Sequence, residues 1–242
     1  MNSRLALIFS TVFHPLLVPG LLIWSLYLMS PMIVTPLTGE SFYVYLKVVF
    51  LMTGLFPLIL LLLLRITYIV SMSRLFFHKV VKNQSVTSFL LQNKPLLFYL
   101  KKNRKGEAFT IPERNERVFP FVMISIIYMM STYLFVYRFS INSVLNSIFI
   151  AMTILVVVVT AITSFFKISV HSTTLSAAVG IAFGYGIYYP VATNYFWYIV
   201  GLVVICGVTS SARLALKSHK LSEVTLGLAL GYVTGFLAMV FH

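Results

Sequence analysis

A short stretch near the C-terminal end of the chain carries the residues best suited to chemistry. His219 and Glu223 are four residues apart, so a helix through both would place them on one face. The carboxylate can then accept a hydrogen bond from one ring nitrogen and leave the other nitrogen as a nucleophile. Arg213, six residues before the histidine, supplies donors of the kind that an oxyanion such as phosphate requires.

A second polar cluster precedes the fifth of seven apolar segments in the chain. It contains Lys167 and Ser169, which offer further donors to an oxyanion, and His171, which is suited to protonate a leaving oxygen. The pattern predicts helix N-termini near residues 171 and 219, and the dipole at such an end favours a bound anion. The two clusters together predict an anion-binding site with acid and nucleophile in place.

The elements that would position these clusters are long apolar segments. The chain has 242 residues, of which 60% are hydrophobic and only 10% charged, whereas a soluble domain carries roughly 25% charged residues. A membrane-spanning helix needs about 20 apolar residues. The segments lie at 5–30, 43–70, 118–138, 143–166, 172–191, 194–212 and 222–241. They predict an all-α fold, a polytopic membrane helical bundle with about six or seven spanning segments.

The organisation along the chain is one membrane domain in three parts. N-terminal transmembrane helices are predicted over 1–70, a basic interfacial region over 71–117 and a helical core over 118–242. Within the basic region, the apolar piece 89–100 is too short to span and predicts an interfacial or re-entrant element.

Proline and glycine add two local predictions. Pro15 and Pro19 predict a kink or break in the first segment. Gly227, Gly231 and Gly235 recur every fourth residue on the last segment, and small residues at that period predict close helix packing.

Counting the membrane crossings along the chain places the polar clusters on one side of the membrane. Arg114 and Arg117 precede the third segment, and the chain then crosses and returns before Lys167, and crosses and returns again before Arg213. Sixteen of the eighteen Lys and Arg residues fall on this side, and only Lys47 and Arg138 fall on the other. The positive-inside rule therefore predicts a cytoplasmic site, with the C-terminus opposite.

The remaining polar residues are interpreted as incidental. Five lysines are expected to face solvent or lipid headgroups: Lys101, Lys102, Lys105, Lys217 and Lys220. Three histidines show no partner in the sequence and are expected to have no role; they are His14, His78 and His242.

Composition excludes several kinds of site. The chain has no Asp, which excludes magnesium–diphosphate sites built on paired Asp and aspartyl-phosphate intermediates. Its single cysteine, Cys206, lies in an apolar run, which excludes a disulfide and a cysteine metal site. We therefore predict neither a metal nor a cofactor.

The spacing of the clusters resembles the signatures of the type 2 phosphatidic acid phosphatase superfamily. Arg213-x5-His219-x3-Glu223 resembles its third signature, SR-x5-H-x3-D. The stretch 168–171, Ile-Ser-Val-His, is similar to its second signature, PSGH, reduced to S-x-H. Two arginines followed by a proline, at 114, 117 and 120, loosely resemble the first, K-x6-RP. The resemblance covers about 114–224 and implies that the core over 118–242 is like that of the superfamily.

The resemblance implies a role for each matching residue. His219 would attack phosphorus and form a phosphohistidine, Glu223 would orient it, and His171 would protonate the leaving group. The positions implied to hold phosphate are Arg213, Ser169 and either Arg117 or Arg114, with Lys167 as an additional cation. The superfamily's reaction needs no metal.

The sequence departs from the signatures at several positions. Ala212 stands in place of the serine of SR, and Glu223 in place of the aspartate. Ile168 and Val170 replace Pro and Gly of PSGH, and Thr110 replaces the lysine of the first signature. An arm longer by one methylene moves the carboxylate, and a misplacement near 1 Å can cost ~10²-fold in rate. The departures predict either a working or an altered enzyme.

The expected function is that of an integral-membrane phosphatase acting on a lipid phosphate or a polyprenyl diphosphate through a phosphohistidine. The expected location is the bacterial cytoplasmic membrane, with membrane lipids as surroundings and no nucleic-acid partner. Two alternatives stay open: a non-catalytic lipid-phosphate binder, flippase or scaffold that retains the pocket, and a transporter whose polar helix ends bind an anion.

Overall fold

The computed structural model describes residues 2–37, 39–66, 114–139, 142–189, 191 and 194–242, and for 114–117 the backbone alone. The regular structure of these residues is helical, as predicted. The helices are α1 (Ser3–Val12), α2 (Val18–Met29), α3 (Gly39–Ile66), α4 (Arg114–Tyr133), α5 (Ser143–Phe165), α6 (Val170–Tyr188), α7 (Tyr195–Ala215) and α8 (Leu221–Val240). A π-helical stretch, Phe50–Leu55, lies within α3, and another, Leu134–Phe139, continues α4. The predicted basic region 71–117, with its apolar piece 89–100, lies outside the described residues except for the start of α4.

Five helices of the described chain are long and apolar enough to cross a membrane. They are α3, α5, α7, α8 and the part of α4 and its extension over Val118–Phe139. These helices indicate a multi-pass membrane protein. The sequence predicts six or seven spans. The difference lies in the first and fifth apolar segments, which are not among these five helices.

The first apolar segment is broken into two short helices. α1 ends at Val12 and α2 begins at Val18, with Pro15 between them and Pro19 in the first turn of α2. The predicted break is confirmed. Helices of 10 and 12 residues are about 15 and 18 Å long, well short of the ~30 Å of hydrocarbon.

The fifth apolar segment forms α6, which lies at the centre of the bundle. It packs most extensively against α8 and also contacts α7 and α2. Most of its residues are buried, including Ser172, Thr173 and Ser176. Because protein rather than lipid surrounds this helix, it tolerates the serines, threonines and glycines that lower its hydropathy.

The contact between α6 and α8 depends on glycine. A Cβ atom at Gly231 would lie 2.0 Å from the carbonyl oxygen of Thr173, and one at Gly235 would lie 2.2 Å from that of Ala177. From the other side, a Cβ at Gly180 would lie 2.3 Å from the carbonyl oxygen of Tyr232. The two backbones therefore touch, which confirms the packing role predicted from the glycine spacing.

Helices α4 and α5 are antiparallel and held in register by hydroxyl groups. The Ser125 and Thr160 hydroxyl oxygens are 2.8 Å apart, and those of Thr132 and Thr153 are 2.6 Å apart. This register places the start of α4 beside the end of α5, and thus at the end of the bundle where α6 begins.

The opposite end of the bundle carries the C-terminus. The Tyr185 hydroxyl, in the last turn of α6, is 2.8 Å from the hydroxyl of Ser30 at the end of α2. The Tyr189 hydroxyl hydrogen-bonds to His242. The C-terminal residue thus lies at the other end of α6 from His171, as parity along the chain predicts.

We predict that Gly231→Ala destabilises the bundle, because the added methyl has no room beside Thr173. Overpacking of this kind costs about 1–3 kcal/mol. Gly201→Ala is the matched control, since Gly201 is also helical and a Cβ there meets no atom within 4 Å; it should leave stability unchanged or raise it by up to about 1 kcal/mol. Thermal unfolding of the detergent-solubilised variants measures both. Equal stability of the two variants would refute the packing role.

Candidate functional site

Three helix ends meet at one end of the bundle: the end of α7 and the starts of α6 and α8. The backbone N–H of Ser169 donates to the carbonyl oxygen of Glu223 at 3.2 Å, and the Lys167 ammonium donates to the carbonyl oxygen of Ser218 at 2.6 Å. These bonds bring the polar cluster at 167–171 and the polar cluster at 213–223 together, which confirms that prediction for the described residues.

The turn between α7 and α8 sets the position of His219. Lys217 has a φ of 52°, in the left-handed region. The N–H of Ser218 donates to the carbonyl oxygen of Arg213 at 3.2 Å, and that of Lys217 to Leu214 at 2.9 Å. This pattern is a Schellman motif, which ends α7 and satisfies its last carbonyl groups. The chain is thereby turned back toward α8.

His219 and Glu223 form a close pair of side chains in the site. Nδ1 of His219 is 2.7 Å from Oε2 of Glu223, and the two side chains expose only 11% and 9% of their surfaces. The predicted pairing is confirmed, but the prediction that one helix carries both residues is wrong, because α8 begins at Leu221. A carboxylate can only accept, so Nδ1 holds the ring proton and the Nε2 lone pair remains for reaction.

Burial and nearby cations keep His219 neutral. Burial, together with the positive charges of Lys167 and Arg213, lowers the pKa of His219 to about 4. The hydrogen bond that His219 donates to Glu223 and the negative charge of that carboxylate offset part of this effect. Nζ of Lys167 lies 3.9 Å from Oε2 of Glu223, so the carboxylate is shared between the lysine and the histidine.

Arg213 and His171 meet at a residue that the sequence does not mark as functional, Ser10 on α1. Nη1 of Arg213 donates to the Ser10 hydroxyl at 2.8 Å. Nε2 of His171 is 3.1 Å from the Ser10 carbonyl oxygen and 3.4 Å from its hydroxyl oxygen. The two predicted site residues are thus joined through the first helix of the chain.

His14 also lies at this site. Its ring meets that of His171 edge to face, with centroids 5.6 Å apart and an angle of 82° between the planes, and its Nδ1 accepts a 3.4 Å bond from the N–H of Leu16. The prediction that His14 and His242 lack partners is therefore wrong, since His242 bonds to Tyr189. His78 lies outside the described residues.

Ser169 supports the junction beneath the site. It is fully buried, and its hydroxyl is 3.0 Å from that of Ser172, which in turn accepts a 3.0 Å bond from Ser210. This chain of hydroxyls ties the start of α6 to α7.

The remaining predictions concern two lysines, two arginines and a metal site. Lys217 and Lys220 are exposed, as predicted. The side chains of Arg114 and Arg117 lie outside the described residues, although the register of α4 on α5 places the start of α4 at this end of the bundle. Within the described part of the chain, no three His, Cys, Asp or Glu side chains cluster as a metal site requires.

An apolar cavity lies beside the site. Its walls come from α4, α5, the first turns of α6 and the turn between α1 and α2. Val170 and Thr174, which line it, flank His171 along α6, and Leu16, which also lines it, follows His14 by two residues. Polar groups and hydrocarbon-like walls therefore adjoin at this end of the bundle.

Comparison with known proteins finds no match: no family model, no curated protein and no solved structure matches the chain.

We predict that two substitutions shift the pKa of His219 in opposite directions. Lys167→Met removes a cation that lowers this pKa, so the pKa should rise. Glu223→Gln removes the carboxylate whose hydrogen bond and charge raise it, so the pKa should fall. NMR titration of ring-labelled histidines measures both, with the His219 signal identified from its loss in His219→Gln. Shifts in the same direction would contradict the shared carboxylate.

Proposed function

We propose that this protein is an integral-membrane phosphatase that hydrolyses a lipid phosphate or a lipid diphosphate through a phosphohistidine at His219. We also propose that it is a member of the type 2 phosphatidic acid phosphatase superfamily, on the residues that resemble its signatures. The observation that carries the proposal is the 2.7 Å bond from Nδ1 of His219 to the buried carboxylate of Glu223.

This bond supports a nucleophilic role in two ways. It holds the imidazole ring in one orientation with the proton on Nδ1, so that Nε2 presents its lone pair. The lowered pKa of His219 keeps the ring neutral at pH 7, and only a neutral ring can attack phosphorus. As positive charge develops on the ring during attack, Glu223 stabilises it.

The proposed reaction has two steps. Nε2 of His219 forms a bond to phosphorus while the bond from phosphorus to the lipid or leaving phosphate oxygen breaks, and His171 gives that oxygen a proton. Water then attacks phosphorus and gives a proton to the now neutral His171, the nitrogen–phosphorus bond breaks, and inorganic phosphate leaves. A phosphate dianion near Arg213 favours the protonated form of His171, since an opposite charge stabilises the imidazolium.

The electrostatics of the site suit a phosphate. The positive charges of Arg213 and Lys167 both act on His219, and the N-terminus of α6 adds a partial positive charge. Guanidinium and ammonium groups can donate charge-assisted hydrogen bonds to phosphate oxygens. The apolar cavity beside His171 and the spanning helices favour a substrate with a hydrocarbon chain over a soluble phosphate ester.

One observation favours a second candidate, a lipid-phosphate binder, flippase or anion transporter without turnover. The ring nitrogen of His171 that would protonate the leaving group is bonded to the Ser10 carbonyl oxygen. If this bond persisted with substrate bound, the site would hold phosphate but lack its acid. Turnover distinguishes the two candidates.

We predict that His219→Ala lowers phosphate release from lipid substrates by ~10³-fold or more, because the nucleophile is lost. The wild type, given a ³²P-labelled lipid phosphate without added metal, should form an acid-labile phosphoprotein that the variant does not form. His242→Ala is the matched control, since His242 lies at the opposite end of the bundle, and it should retain activity.

Two outcomes would contradict the proposal. A wild type that binds lipid phosphates but releases no phosphate from a broad panel would support the binder instead. A His219→Ala variant that retains turnover would exclude the phosphohistidine.

We further propose that the site faces the cytoplasm of a bacterium, on the basic residues that parity places on its side. His242 lies at the opposite end of the bundle from the site, so we predict that a reporter that works only in the cytoplasm is inactive when fused to the C-terminus. The same reporter at the N-terminus should be active, because Arg4 is assigned to the side of the site. Activity of the C-terminal fusion would reverse the orientation.

A further inference from the structure

Helix α1 is attached to the bundle by a narrow stripe. It packs against α7, and its only buried residues are Ala6 and Ser10, four residues apart on one face. Its large apolar residues point away from the bundle: Leu5, Leu7, Ile8 and Val12 expose 45% to 55% of their surfaces. A helix with such an exposed apolar face is suited to contact lipid on that face and protein on the other.

The residue that attaches α1 also occupies the site. Ser10 accepts a 2.8 Å bond from the Arg213 guanidinium through its hydroxyl and a 3.1 Å bond from His171 through its carbonyl oxygen. These two groups are the ones that the proposed function assigns to a phosphate oxygen and to the leaving oxygen. One residue of α1 thus fills the positions of two substrate oxygens.

We propose that α1 is a lid on the phosphate site, and that Ser10 is the stopper that a phosphate group displaces. The proposal rests on the proposed function. Arg213 donates to a neutral hydroxyl in the closed site, whereas a phosphate oxygen offers a charge-assisted bond of roughly twice the strength. A phosphate group therefore competes successfully for the guanidinium, and α1 moves away with Ser10.

The connection to α2 provides the point about which α1 moves. α1 ends at Val12, and residues 13–17 form a turn that contains His14 and Pro15. His14 stays against His171 through the edge-to-face ring contact. The exposed apolar face of α1 lets the displaced helix lie on the membrane surface, so opening does not expose its leucines to water.

The first test compares two neighbouring hydroxyls on α1. Ser10→Ala removes the hydroxyl on Arg213, and it should tighten binding of orthovanadate to the full-length protein by about fivefold to tenfold and lower KM for a lipid phosphate to a similar degree. Thr11→Ala is the control, since the Thr11 hydroxyl is exposed and bonds to Leu7 of its own helix; it should change neither. Weaker vanadate binding by Ser10→Ala would show that Ser10 is a ligand rather than a stopper, and would overturn the proposal.

The second test measures the motion and does not depend on how Ser10→Ala folds. Spin labels on cysteines at Thr11 and Ser222, which are both exposed, report the distance from α1 to the start of α8 after Cys206→Ala. Orthovanadate, or a lipid phosphate in a bilayer, should lengthen this distance. A pair at Ser211 and Ser222, on α7 and α8, should not change.

The outcomes separate the lid from the function on which it rests. If vanadate binds and lipid phosphate is hydrolysed but the Thr11–Ser222 distance stays constant, the lid is refuted and the phosphatase stands. A response to lipid phosphate alone supports the lid and identifies the lipid as its ligand. If the wild type neither binds vanadate nor hydrolyses lipid phosphate, both proposals fail.

Discussion

The close contact between α6 and α8 is the constraint on which the site depends. Because Gly231 and Gly235 let the two backbones touch, the start of α8 lies directly against the start of α6. The N–H of Ser169 then donates to the carbonyl oxygen of Glu223. This bond fixes the backbone of Glu223, and with it the position of the carboxylate beside His219. A wider separation of these helices would break that backbone bond and move the carboxylate relative to His171, so packing in the middle of the membrane determines chemistry at its edge.

The same contact between α6 and α8 brings the charged groups of the site together. Glu223 is the only acidic residue between 118 and 242, and it lies within reach of His219 and Lys167. The positive charge of Arg213 also acts on His219. The histidine, the carboxylate and the two cations therefore influence one another as a set.

The parts of the site that could be predicted from sequence are those set by local spacing and parity. The pairing of His219 with Glu223 was predictable from their separation by four residues, although His219 precedes α8 and does not lie on it. The meeting of their cluster with Lys167 follows from two crossings of the bundle. Ser10 and His14 could not be found in this way. Their contacts join residues about 160 positions apart, and they depend on the break at Pro15, which turns an apparent first span into a separate helix beside α7.

Serine suits the place that Ser10 occupies because its bonds are of intermediate strength. An apolar side chain there would remove the hydroxyl to which Nη1 of Arg213 donates at 2.8 Å. A carboxylate would bind the guanidinium with a charge-assisted, bidentate bond and would compete with phosphate on equal terms. In the proposed lid, a hydroxyl bonds to the guanidinium while substrate is absent and yields to a charged oxygen when substrate arrives. The same reasoning explains why the acid of the proposed reaction, His171, is bonded to a backbone carbonyl and not to a side-chain carboxylate: a neutral acceptor holds the ring in position without permanently retaining its proton.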